Sequence, residues 1–359
     1  MNNCRKELLD FLKKPCTELR VVVMPDFFLD RLVSLDFDVP RFAELAGEVV
    51  KRKGGSIDSI PQADLRGGNA VNVASALAAL DAHVTPIVCT SRHGLEQMRF
   101  HLKGSRVDLS HVKVLAKPSV TTALEFQTQA GKANVMLRDL GSLADFGPAD
   151  LNETDYAMVE DADYMCLFNW AGTRKFGTEL AEAVFSRAKK GKGKTYFDTA
   201  DPTPNEAEIP QLMERVLQTR NVDILSVNEN EAVTYAALLD PAVARKRSGT
   251  QLDRLAMEAA RVLANRLSAR IDLHTTAFAA TVKGKREVVV PAFQVAPLRA
   301  TGAGDAWDAG NVIGDGAGLS DECRLMLANA VAACYLSDAG GTHPTPQELA
   351  GFIANAVTK

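Results

Sequence analysis

RATGAGDAWDAG, residues 299–310, sets two glycines around an alanine, follows them with an aspartate, and runs on into small and apolar residues. Gly302 and Gly304 let the backbone reach positive φ and approach a ligand closely, with no Cβ in the way. A helix starting near Asp305 points its first free N–H groups, and the positive end of its dipole, back into that turn. Such a turn is an anion site. The acid needs a further reason, because Asn, Ser or Thr would serve a purely structural turn.

Phosphoryl transfer supplies one. Charge spreads over the moving phosphoryl oxygens, so catalysis is mostly positioning and electrostatics. On this reading Asp305 takes the proton of an attacking hydroxyl, and the backbone amides of Gly302, Ala303 and Gly304 stabilise the group in transit. The helix dipole is expected to keep Asp305 ionised and only weakly basic. From spacing alone, a glycine turn before an acidic first-turn residue fits equally well.

Outward from this stretch, apolar runs alternate with helical patterns. RVVVM (20–24), VTPIVCT (84–90), YMCLF (164–168), KTYFDT (194–199) and VDILSVN (222–228) read as strands. GNAVNVASALAALDA (68–82), ELAEAVFSRAKKG (179–191), ENEAVTYAALL and DRLAMEAARVLANRL (253–267) read as helices. A strand pair, AATV and REVVVPAF, and two helices close the chain. This rhythm predicts a doubly wound, mostly parallel α/β sheet with helices on both faces. Segments 31–66 and 107–140 break it with alternating polar residues, and TTALEFQTQAGKANVMLRDL (121–140) suggests a hairpin around Gly131. They are expected to form a small β-strand lid inserted into a single domain spanning 1–359.

Composition narrows the function classes. With 46% hydrophobic and 24% charged residues, the chain can bury an ordinary globular core. A net charge of −4 and no Lys/Arg cluster argue against a nucleic-acid partner. The six cysteines show no CxxC pair and read as reduced core thiols. The N-terminal residues lack a signal-like apolar stretch, and Leu8, Leu9, Phe11 and Leu12 suggest an amphipathic helix. No window approaches the ~20 apolar residues of a membrane span. A cytoplasmic enzyme without membrane partners is the expectation.

Three further stretches carry polar groups at placed positions. In RGGNAVNVASALAALDA (66–82), Asn69, Asn72 and Ser75 recur every third residue along an otherwise apolar helix. Buried amides need partners, and the hydroxyls of a polyol would supply them; alternatively Asn69 is an N-cap and Asn72 is satisfied by backbone. VVVMPDFFLDRL (21–32) runs a strand into a loop with Asp26 and Asp30, at the carboxyl end where parallel sheets bind ligands. In SVNENEAVTYAALL (226–239), Asn228 and Glu231 have capping-box spacing. Beside a phosphate site, Glu231 can also hold water around Mg²⁺.

Taken in order, Asp30, Gly67-Gly68 with Asn72, Asn228 with Glu231, and Thr301-Gly302-Ala303-Gly304-Asp305 resemble the ribokinase, or PfkB-type, carbohydrate kinase family. That family's pattern is an Asp after the first strand, Gly-Gly-x-x-x-Asn, Asn-x-x-Glu, and Asp-Thr-Thr-Gly-Ala-Gly-Asp. The resemblance implies a ribokinase-like fold and transfer of the terminal phosphoryl of ATP, with Mg²⁺, to a hydroxyl of a sugar or sugar derivative. It implies Asp305 as base over an anion hole at Gly302, Ala303 and Gly304. Asp30, Gly67, Gly68, Asn69 and Asn72 become substrate contacts, and Arg138 falls where acid-sugar kinases of the family use Arg. Asn228, Thr301, Gly302, Gly304 and Asn329 become nucleotide positions, and Glu231 the Mg²⁺ position. A homodimer through the lid is a further expectation.

The departures are informative. Arg299-Ala300 stands where the family has Asp-Thr, and an always-charged guanidinium cannot ligate K⁺. K⁺-independent activity is therefore expected, and strong stimulation by K⁺ over Na⁺ would refute it. LHTTAFAATV (273–282) replaces the family's glycine loop, so His274, Thr275 and Thr276 are expected to contact the nucleotide by side chains, and ADP is a possible donor. CTSRHGLEQM (89–98) stands where the family has Gly-Asp-Asp-x-x-Gly. A nucleoside kinase of the same family, or a catalytically silent ligand-binding sensor with the same fold, are the alternatives.

Overall fold

The computed structural model describes residues 2–14, 18–128, 131–246, 252–298 and 301–358. In chain order its strands are β1 (Arg20–Met24), β2 (Phe28–Ser34), β3 (Gln62–Gly67), β4 (His83–Pro86), β5 (Cys89–Thr90), β6 (Lys113–Val114) and β7 (Ser119–Thr128). They continue as β8 (Gly131–Asp139), β9 (Tyr164–Leu167), β10 (Lys194–Asp198), β11 (Ile224–Val227), β12 (Arg270–His274), β13 (Phe278–Lys283) and β14 (Arg286–Pro291). An eight-stranded sheet has the order β14-β13-β12-β11-β10-β9-β1-β4. From β12 to β4 the strands run parallel, and β13 and β14 close one edge antiparallel.

Side-chain alternation explains why both faces are covered. Val22 and Met24 pack into one apolar cluster with Leu167 and Phe197, under the helices Gly177–Ala188 and Leu252–Arg266. Val21 and Val23 enter the opposite cluster with Cys166 and Tyr196, under the helices Asn69–Ala79, Ala303–Gly316 and Asp321–Leu336. Strand residues buried on both faces are apolar without a break, as VVVM (21–24) is after the exposed Arg20. Strand order reverses between β1 and β9, which opens the crevice outside the carboxyl ends where ligands bind in such sheets.

A second, four-stranded sheet has the order β3-β2-β7-β8. The expected hairpin is present, with Thr128 opposite Gly131 and its turn outside the described residues. Segment 31–66 differs from expectation: between β2 and β3 lies a helix, Val39–Lys51, with none of its residues buried. Asp38 caps it by accepting the Arg41 N–H, and a proline sits in its first turn, so local signals outweighed the polar alternation. The run 84–90 also divides. Pro86, with no N–H to donate, ends β4, while β5 pairs with β6 in a separate two-stranded sheet. The N-terminal helix, Asn2–Phe11, forms as expected and buries Leu8. Among the described residues no helix is long and apolar enough to cross a membrane.

Candidate active site

Parallel strands deliver their following residues to one edge of the sheet. Asp26 follows β1, Asn169 follows β9, Asn228 follows β11, and Asp198 and His274 are the last residues of β10 and β12. Over this edge the helix Ala303–Gly316 begins from Gly302, whose φ of 85° is left-handed. A Cβ on Gly302 would stand 2.6 Å from the Tyr335 hydroxyl, so both conformation and space require glycine.

Asp305 lies in the first turn of that helix and is 6% exposed. Its Oδ1 accepts from Asn69 Nδ2 at 2.8 Å and its Oδ2 from Asn72 Nδ2 at 2.9 Å. The polar edge of the Asn69–Ala79 helix therefore packs directly against Asp305. Burial pushes the Asp305 carboxyl up to about 7, against the lowering effect of Asn72 and Asn69. This corrects the expectation of a weakly basic carboxylate: loss of hydration, with the Asp26 and Asp198 carboxyls nearby, outweighs the two amides. Near neutral pH such a group shifts readily between proton acceptor and donor.

Behind it, Asp26 is fully buried and takes the N–H groups of Asn69 and Ala70 at 3.0 and 2.9 Å. Asn169, itself at a left-handed φ of 47°, donates to Asp26 at 2.8 Å. The cap of the Asn69–Ala79 helix thus comes from a distant residue: the N-cap position is Gly68, not Asn69. The sequence places Asp26 at the ligand-binding edge, but both its oxygens are taken up within the fold, and nothing in the sequence around Asn169 marks it.

Asp30 stands on β2, not in the loop the sequence suggested. Its Oδ1 is buried without a hydrogen-bond partner, and burial pushes its carboxyl up to about 6, offset in part by Thr121 and Arg138. Gly67 is needed beside it, since a Cβ there would fall 2.0 Å from Asp30 Oδ2. Arg138, on β8, lies over the Phe28 ring at 5.0 Å.

On the other side, Asn228 caps the Glu229–Leu239 helix, and its N–H and Nδ2 both donate to Glu231, at 2.9 and 2.6 Å. Burial, then the neighbouring Asp198, pushes the Glu231 carboxyl well up. Thr275 closes the β12–β13 turn: its hydroxyl donates to the Phe278 carbonyl at 2.8 Å and accepts the Phe278 N–H at 2.9 Å. Asn329 accepts from Trp307 Nε1 at 2.9 Å and donates to the Pro291 carbonyl at 3.1 Å, bonds that account for its amide within the fold. Thr301 is exposed just before the turn, and Arg299 and Ala300 lie outside the described residues. Tyr335 and His343, which the sequence did not flag, stack at 4.7 Å, and His343 Nδ1 lies 2.8 Å from Arg66 Nη2. A depression of about 650 Å³ occupies the opposite edge of the sheet, lined by Arg20, Asp163, Lys194 and Asp315, away from all these groups.

A family model described as pfkB family carbohydrate kinase matches residues 62–348. No curated protein matches the chain by sequence. Solved structures do. A protein assigned as ribokinase II from E. coli, in complex with ATP and Mg²⁺, is 13% identical with a TM-score of 0.71, covering 94% of this chain and 99% of its own. Ribokinase from Cryptococcus neoformans var. grubii serotype A, in complex with ADP, is 17% identical with a TM-score of 0.68, covering 92% and 99%. Adenosine kinase from Sinorhizobium meliloti is 17% identical with a TM-score of 0.68, covering 93% and 98%. At these identities the likeness establishes the ribokinase-like fold.

Proposed function

The chain belongs to the pfkB family of carbohydrate kinases, and from that premise we propose that it transfers the terminal phosphoryl of ATP to a hydroxyl of a sugar or sugar derivative, with Asp305 as general base. One arrangement carries this reading: a carboxylate held by two amides at the start of a helix that begins from a left-handed glycine turn. Asn69 and Asn72 fix both oxygens of Asp305, so the carboxylate keeps one orientation toward an incoming hydroxyl. With its pKa near 7, Asp305 takes that hydroxyl's proton as the oxygen attacks phosphorus. The N–H groups of Gly302, Ala303 and Gly304 receive the phosphoryl oxygens. The unpartnered Oδ1 of Asp30 accepts another substrate hydroxyl, and Gly67 and Gly68 serve the substrate side indirectly, since a Cβ on either would strike Asp30 or the Asp26–Phe27 backbone.

Asn228, Thr301 and Thr275 are assigned to the donor side with Asn329 behind them. Both oxygens of Glu231 already accept hydrogen bonds from Asn228, which suits an outer-sphere partner of hydrated Mg²⁺ more than a direct ligand. When bound, Mg²⁺ would neutralise charge on the donor phosphates. Exposed Val135, Met136 and Leu137 on edge strand β8 support pairing of two copies through the second sheet, which sedimentation would test.

The decisive assay sets a panel of sugars, sugar acids and nucleosides against ATP and ADP, with wild type and Asp305→Asn in parallel. We expect turnover with a sugar-type acceptor, and a variant that still binds it without turnover. Turnover with nucleosides alone would replace the acceptor class. A wild type inert toward every acceptor would favour a ligand-binding sensor.

A further inference from the structure

We propose that Asp198, His274 and Asp308 form a binding site for a divalent transition metal of the zinc type, one helical turn behind Asp305. Three elements converge there: the ends of β10 and β12 and the helix Ala303–Gly316. One ligand atom from each residue lies within 4.8 Å of the others, and His274 Nε2 is 3.8 Å from Asp198 Oδ2. Of the three, only His274 enters the kinase reading, as an expected nucleotide contact, and the cluster stands whether or not the chain turns over.

Each ligand is held in place by atoms it does not need for a metal. Asp198 Oδ1 accepts the Ala200 N–H at 2.8 Å. Asp308 Oδ1 accepts from the Tyr196 hydroxyl at 2.6 Å and from Ser226 Oγ at 2.7 Å. The His274 ring lies against Trp307, with centroids 5.0 Å apart. Outer-shell partners of this kind orient metal ligands. What remains is Asp308 Oδ2 and His274 Nε2, both buried and both without a hydrogen-bond partner, with His274 Nε2 facing Asp198 Oδ2. Asp308 is 1% exposed, and buried polar atoms are nearly always satisfied.

Charge leads to the same place. Among the described residues no lysine or arginine pairs with either carboxylate, and His274 is the one ion-pair partner of Asp198. Two buried acids therefore face each other and an imidazole without a compensating cation. A metal ion supplies that charge. One imidazole nitrogen with two carboxylate oxygens suits Zn²⁺, whereas Mg²⁺ takes an all-oxygen octahedron. Tetrahedral Zn²⁺ ligands stand roughly 3.4 Å apart, so small side-chain rotations close the set. The ion would tie two strand ends to the helix that carries Asp305.

The test uses the full chain, stripped with chelator and free of nucleotide, so that no donor magnesium enters. Zn²⁺ is added, excess is removed by desalting, and retained metal and melting temperature are measured. We expect about one Zn²⁺ per chain and a higher melting temperature, with no such shift from Mg²⁺. Asp308→Asn and His274→Gln should each weaken retention by roughly tenfold or more. Two variants in separate elements keep the test open should one fail to fold. A wild type that retains no Zn²⁺ overturns the proposal, leaving the two acids to share a proton instead. Equal retention by both folded variants overturns it too, by placing the metal elsewhere, such as at the partly exposed Cys334.

Discussion

At one end of the helix Ala303–Gly316, Asp305 is bound by the neutral amides of Asn69 and Asn72; toward the other, Asp315 is bound by Arg270 at 2.6 Å and Lys194 at 2.7 Å. Burial raises both carboxyls. At Asp305 nothing cationic opposes it, and the group rises to about 7. At Asp315 the same burial is outweighed by Arg270, with Lys194 and Tyr164, and the group is held below its ordinary range. Asp272 extends this second environment: fully buried, it meets Arg324 and Arg270, each at 2.9 Å, and is held low against its own burial. One helix therefore joins an uncompensated acid cluster at the strand carboxyl ends to a neutralised ion network at the other edge. Chemistry is expected where the charge is left open, and stability where it is closed.

The contrast is most exposed to failure at Asp305. Replacing it with Asn should lower kcat by about 10²–10⁴, the worth of a positioned general base, with acceptor binding retained by calorimetry. A kcat within a few-fold of wild type would sink the catalytic assignment.

Next in size is the closed end. Arg324 and Asp272 are both 0% exposed, so Arg324→Ala leaves a buried carboxylate short of its partner and should cost about 3–5 kcal/mol in urea unfolding. Activity of the folded fraction should be unchanged.

A smaller effect is expected at the turn. Gly302→Ala forces a side chain into a left-handed φ and against Tyr335, a strain of about 1–2 kcal/mol. It should reduce turnover more than acceptor affinity, because the amides it displaces act on the phosphoryl group.

pH separates the two ends most finely. Below about 7 Asp305 protonates, so kcat/KM should fall by about one log unit per pH unit on the acid side. Asn72→Ala removes a bond that lowers this pKa, and should move the acid limb upward. Stability runs the other way at the two ends. Asp305, raised in the folded state, contributes stability at low pH that is lost as pH rises through about 7. Asp272 and Asp315, held low, contribute stability above the ordinary carboxylate pKa that is lost as pH falls through their depressed values. Urea titrations from pH 3 to 8 on wild type and Arg324→Ala should show the acid-side loss shrinking in the variant.

Much of the architecture was legible along the chain. RVVVM, KTYFDT and VDILSVN each announce a strand buried on both faces, since apolar continuity over so few residues has few other uses. The helix at Val39–Lys51 is easy to misread, because its apolar stripe of Phe42, Leu45, Ala46 and Val49 is only half-buried and lies among polar residues that also suit strand alternation. At the site, Asn69 and Asn72 stood out as polar residues on an apolar helix, but their partner did not. They face Asp305, more than two hundred residues away. Asp26 hid in the same way, capping a helix whose own N-cap residue, Gly68, offers no side chain.

By itself the sequence determined which residue types and local conformations were available: buried strands by apolar continuity, helix starts by their caps, and an acid placed just after a glycine turn. Periodicity, capping and backbone freedom act within a few residues, so they can be read in one dimension. Only the tertiary structure decided which of those acids are left without a cation. Sheet order brings the ends of β10 and β12 beside one face of a helix and an arginine from Asp321–Leu336 beside the other end. Hydration and charge depend on distance in space, and that distance exists only once the chain has folded.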